Sequence, residues 1–208
     1  SKMMVSALGL KVEKPQTRSF VDVPRDHWAY SFIETAKEYL TYFKTPEGDT
    51  FKPSEPAQRE DMAVALVKAL GLENEITSQQ ILDSFADKNM ISEDLRNSVA
   101  IAVSNGVMKG VPIPNSEMYI FNPQKPITRA ETAALLSNAY NVGLTLLTKV
   151  AGYKKGTKTT SDNAPTDNSN LNKPDSTSDN VTKYPTSAKS VEAFKKLSLF
   201  SGSWIEKN

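Results

Sequence analysis

Phe51-Lys52-Pro53-Ser54-Glu55-Pro56-Ala57-Gln58-Arg59 has a counterpart further along the chain in Phe121-Asn122-Pro123-Gln124-Lys125-Pro126-Ile127-Thr128-Arg129, with phenylalanine, proline and arginine at identical internal spacing. The correspondence runs on: Ala69, Leu70, Gly71 and Leu72 close the first statement, Ala139 and Tyr140 the second. The closing tetrapeptide also stands alone as Ala7, Leu8, Gly9 and Leu10. Self-similarity at a long fixed period marks a tandem repeat, and the isolated tetrapeptide reads as the end of a further unit whose beginning is missing.

Working outward, each unit reads as helix, loop, helix. Met3, Met4, Ala7 and Leu8 keep helical spacing and stop at Gly9, which suits the left-handed position after a helix. Phe20, Asp22 and Pro24 lead into Trp28, Phe32, Ile33 and Ala36, whose rhythm predicts a helix from an N-cap at Asp26 to about Phe43. Residues 44–58 hold Pro46, Gly48, Asp49, Pro53 and Pro56 and read as a loop around Phe51. A second helix follows from Arg59, with Met62, Leu66 and Leu70 on one face, to Gly71. A connector with a short helical turn spans 73–84. The next unit sets Leu95, Val99, Ala102 and Val103 on its first helix, ended by Gly106, then a loop over 107–122 and a helix over 128–140. Thr128 and Glu131 form a capping box at the start of that last helix. Two short helices enclose too little area to stand alone, so the units must pack on one another. The fold class expected is therefore mainly all-α.

Composition narrows the function. With 25 basic and 24 acidic residues the formal net charge is +1, so no overall field recruits nucleic acid or an anionic membrane. The absence of cysteine and the single histidine exclude a disulfide framework and thiolate metal sites, and no cofactor is implied. No run of residues approaches the length of a membrane span. Nothing in the spacing forms a nucleophile elbow, phosphate loop, zinc helix or EF-hand loop, so an enzyme is not expected.

The distributed pattern resembles S-layer homology repeats. It is carried by Phe20, Asp22, Trp28, Phe51, Pro53 and Arg59, and again by Phe85, Asp87, Asn105, Gly106, Val107, Gly110, Phe121, Pro123, Ile127, Thr128, Arg129, Ala130 and Glu131. The resemblance covers about residues 1–145. It implies a pseudo-threefold bundle of repeats that holds exported proteins on the bacterial cell surface. It also implies non-covalent binding of an anionic, often pyruvylated, secondary cell wall polysaccharide in grooves between repeats. It further implies surface-layer proteins as partners and an extracellular location. On this reading the chain divides into a remnant with connector at 1–18, repeats at 19–83 and 84–150, a Ser/Thr/Asp/Asn/Pro linker at 151–190, and a short apolar segment at 191–208 that begins a downstream region.

The residues themselves suggest how an anion is held. Arg129 stands at a helix N-terminus, where free amides and the helix dipole favour negative charge, and its guanidinium can grip a carboxylate in a bidentate way. The glycan-binding set expected is Arg129, Thr128, Asp87, Gly106, Gly110, Arg59, Asp22 and Trp28, with Glu131 as the structural cap. Gly106 and Gly110 are expected to let backbone approach a sugar ring, Asp87 to accept from hydroxyls, and Trp28 to offer an apolar face. Each has a plainer reading beside it. Arg129 can pair with Glu131, Asp22 and Asp87 can serve backbone amides in turns, and Trp28, Phe51 and Phe121 can fill the core. The first complete unit departs from the pattern at Gln58, Arg59, Glu60 and Asp61, which keeps the arginine but not the threonine cap, so its site reads as a weakened copy. Self-assembly within a surface layer, or service as the anchor of a larger surface enzyme, are the alternative functions.

Overall fold

A computed structural model describes residues 1–151, with side chains described to 146. The linker expected beyond residue 151 and the apolar segment at 191–208 lie outside the described residues. Five α-helices follow in order: α1 (Lys2–Ala7), α2 (Tyr30–Ala36), α3 (Arg59–Ala69), α4 (Arg96–Ser104) and α5 (Arg129–Ala151). Short 3-10 turns precede α4 at Gln79–Ser84, Lys88–Met90 and Glu93–Leu95. Gly9, Gly71 and Gly106 follow α1, α3 and α4 at φ of 59°, 66° and 69°, so the terminators read from sequence do end these helices in the left-handed region.

The segments read as loops hold hairpins. β1 (Phe43–Thr45) pairs antiparallel with β2 (Gly48–Thr50), and β3 (Val111–Pro112) with β4 (Tyr119–Ile120). Strands of two or three residues rich in turn formers carry no alternating pattern, which is why periodicity misses them. The fold is therefore mainly helical with two small hairpins, not purely helical. In each repeat the Phe-x-Asp segment bonds to the hairpin's second half: Val21 N donates to Asp49 O and Ala86 N to Tyr119 O, both at 2.9 Å. The paired phenylalanines meet as tilted rings in both, with ring centroids 5.5 Å apart for Phe20 and Phe51 and 5.4 Å for Phe85 and Phe121.

Three helices depart from their predicted limits or caps. α2 begins at Tyr30, after a series of turns, and ends at Ala36 because the chain turns toward the hairpin. Its N-cap is Ala29, not Asp26, and the Ala29 amide donates to His27 Nδ1 at 3.2 Å. α5 continues past Tyr140 to Ala151, since no glycine in a left-handed conformation interrupts it and Val142 and Leu146 still pack on the core. α3 lacks the threonine cap, yet its start is closed by Asp61, whose carboxylate accepts from the Gln58 amide at 2.9 Å.

Helix α3 is the centre of the molecule. Met62 to Val67 and Ala69 are all buried, so it is apolar on every side, as a helix enclosed by neighbours must be. It packs against α4 and α5, while α1 packs against α2 and α5. One core gathers residues of α1, α3, α4 and α5, including Met4, Leu66, Ile101 and Ala139, together with Leu70 just after α3 and Phe121 just after β4. A smaller one holds Phe20, Val23, Tyr30 and Ile33, with Phe51 against it.

Candidate glycan-binding site

The two arginines at the helix starts occupy different surroundings. Arg59 is half-buried in the seam between the repeats: its Nη2 donates to Lys109 O at 2.7 Å, and its guanidinium lies 5.2 Å from the centre of the Phe121 ring. Burial lowers its pKa, with the charge of Glu131 acting against that shift. The helix end behind it is occupied too. Arg59 N donates to Lys125 O at 3.1 Å, Glu60 N to Pro123 O at 2.9 Å, and Ile127 N returns to Ala57 O at 2.9 Å. The amides that make a helix N-terminus attractive to anions are here spent on the neighbouring repeat.

Arg129 presents the opposite case. It is exposed, and neither its guanidinium nor its backbone amide has a partner among the described residues. The capping box predicted behind it is formed: Glu131 N donates to Thr128 Oγ1 at 3.2 Å, and Thr128 N to Glu131 Oε2 at 2.9 Å. Glu131 does not pair with Arg129. Its other oxygen meets Lys125 Nζ at 3.0 Å, and the Thr128 amide, Lys125 and the Thr128 hydroxyl together depress its pKa to about 2. The cap thus fixes the first turn of α5 without engaging the Arg129 side chain.

The remaining expected residues are sorted by what they touch. Asp22 accepts from Phe51 N at 2.8 Å and Lys52 N at 2.6 Å. Asp87 accepts from Phe121 N at 2.9 Å and Asn122 N at 2.7 Å. Lys52 and Asn122 both stand at φ 57°, so each aspartate braces the same left-handed bend in its own repeat. Gly110 is filled by the protein itself, because a Cβ there would stand 2.5 Å from Phe85 Cε1 and 2.8 Å from Tyr119 Cβ. Open backbone for a sugar is therefore not what Gly110 supplies. Gly106 has nothing within 4 Å of a built Cβ, and its carbonyl, with that of Val107, accepts from Asn138 Nδ2 at 2.8 Å.

Trp28 corrects the core reading of that position. It is 74% exposed with its ring beside His27 at 5.9 Å, whereas Phe121 is buried and Phe51 half-buried. A tryptophan this exposed is informative, because its large apolar face finds little cover among the described residues. Sequence reasoning missed two groups. Glu34, buried in α2, accepts from Ser19 N and Oγ, and Glu60, buried in α3, accepts from Ser92 N at 3.0 Å and Ser92 Oγ at 2.7 Å. The signal for Glu60 was the glutamate standing where the other repeat has Ala130.

The sequence profile of the S-layer homology domain matches residues 19–63 and 84–133, the same two units that the paired aspartates and hairpins define. These segments are S-layer homology repeats. Such domains are cell-wall anchoring modules. Similar proteins include the surface-layer 125 kDa protein of Lysinibacillus sphaericus, 33% identical over 128 residues, 62% of this chain and 10% of that protein. S-layer protein EA1 of Bacillus anthracis is 34% identical over 126 residues, 60% of this chain and 13% of that protein. An endoglucanase of Bacillus sp. strain KSM-635 is 30% identical over 152 residues, 73% of this chain and 14% of the enzyme. The chain thus spans only a small part of the length of these relatives. Among the described residues, no helix of the S-layer homology repeats is long and apolar enough to cross a membrane.

Proposed function

We propose that this chain is a non-catalytic anchoring module that binds an anionic, pyruvylated secondary cell wall polysaccharide outside the cell, with Arg129 as the principal anion contact. The observation that carries the reading is the contrast between the arginines. Arg129 stands unpartnered among the described residues on a capped helix start, while Arg59 is engaged by Lys109 and Phe121. Thr128 holds the first turn of α5, Trp28 offers an exposed apolar face as a sugar platform, and a Cβ at Gly106 would meet nothing within 4 Å. Asp22 and Asp87 act in this reading by shaping the loops, and Gly110 by close packing. A pseudo-threefold bundle, with α1 as the end of a further repeat, suits the packing of α1 on α2 and α5.

Relatives named as surface-layer proteins and as an endoglucanase, an amylopullulanase and an exoglucanase share this stretch. A module common to proteins of such different chemistry suits anchoring better than array assembly, and we assign attachment of a larger surface protein as its role. Co-sedimentation with purified wall glycan tests it. The chain is expected in the pellet and the Arg129→Ala variant in the supernatant; equal sedimentation of the two, or none of either, refutes the assignment.

A further inference from the structure

The dipeptide Arg59-Glu60 holds the second S-layer homology repeat on both sides at once. Glu60 is 2% exposed, and its carboxylate takes both the amide and the hydroxyl of Ser92, at the entry to α4. Its own amide and that of Arg59 bond to Pro123 and Lys125 on the opposite side. A buried carboxylate holds its place only with such donors, and removing them leaves a costly unpaired charge. The other repeat has Ala130 after its arginine, an exposed residue that has nothing with which to grip.

We infer that Glu60 and Ser92 form an inter-repeat clamp that holds Arg59 against Lys109 and Phe121, so that the seam between the two repeats is closed to an anionic ligand and, of the two helix-start arginines, Arg129 is the one left without a partner among the described residues. The clamp is a positioning device: it fixes the first turn of α3, and the arginine side chain is thereby aimed at the neighbouring hairpin. This rests on the anchoring reading only for its consequence for the ligand, since the clamp itself is a matter of side-chain access.

Labelling with an arginine-selective dicarbonyl, read by mass spectrometry, tests the clamp without any glycan. In the unaltered chain Arg59 is expected to react about tenfold more slowly than Arg129, the scale of one charge-assisted hydrogen bond that must open first. Glu60→Ala and Ser92→Ala, each checked for folding by circular dichroism, are expected to bring the Arg59 rate close to that of Arg129. Ser92→Ala removes a single hydroxyl and serves if Glu60→Ala fails to fold. Equal rates in the unaltered chain, or an Arg59 rate that neither substitution raises, overturn the inference. On wall glycan, Arg129→Ala should regain retention when Glu60→Ala is added and lose it again with Arg59→Ala. No regain despite freely labelled Arg59 overturns the closure of the seam. Failure of the anchoring reading shows separately, as an unaltered chain that does not bind, and the labelling still decides the clamp.

Discussion

Replacing Asp87 separates a loop brace from a sugar contact. Its carboxylate accepts from Phe121 N and Asn122 N at 2.9 and 2.7 Å, and the bend it holds includes Asn122 at φ 57°. Hydrogen bonds to a charged group contribute roughly 1.5–3 kcal/mol each. The Asn122 amide is exposed and regains water in the variant, which lowers the sum, so Asp87→Ala should cost about 3 kcal/mol in all. For a folded body of about 150 residues, 1 kcal/mol moves the melting temperature by about 2–4 °C, giving a fall of roughly 6–12 °C. Asp87→Asn keeps one accepting oxygen and turns an amide toward the other donor, so its loss should be intermediate or nearly as large. Thermal unfolding followed by circular dichroism reads both, with Asp22→Ala as the equivalent change in the other repeat. A melting temperature unchanged within about 1 °C, combined with lost glycan retention, would show that Asp87 meets the ligand and that the brace is incidental.

Other substitutions follow from the same geometry. Gly110→Ala forces a Cβ to within 2.5 Å of Phe85 and should destabilise by about 1–3 kcal/mol in denaturant unfolding, whereas Gly106→Asn should cost clearly less, because the space is open and asparagine tolerates φ near 69°. Trp28→Ala should leave stability within about 0.5 kcal/mol while reducing retention on wall glycan; a large loss of stability would return the residue to the core. Glu131 has its pKa lowered in the folded chain, so its contribution to the α5 cap is present above the usual carboxylate range and fades as pH falls toward about 2. A side-chain NMR titration of Glu131 should show that low midpoint, and Thr128→Ala should raise it; a midpoint in the ordinary range refutes the capping geometry.

Much of this protein is written in its order of residues. The paired Phe-x-Pro and arginine positions gave the repeat, Gly9, Gly71 and Gly106 gave the helix ends, and Thr128 with Glu131 gave the cap of α5. These features are local: a glycine's freedom at positive φ and a threonine three residues before a glutamate act over one turn of chain. The hairpins escaped because their strands are stabilised by pairing with the Phe-x-Asp segment far away in sequence, and the extra length of α5 escaped because packing carries it past Tyr140. The brace formed by each aspartate was legible as an alternative only, since its partners lie 29 to 35 residues away.

Arg59 and Arg129 share a motif and differ in the tertiary structure. Sequence determined that both begin a helix in equivalent positions of a repeat. Only the packed molecule decided that Arg59 meets a carbonyl and an aromatic face of the neighbouring repeat while Arg129 stays open, because a long side chain reaches whatever the next unit brings within a few ångströms, and that neighbour is set by packing rather than by the motif.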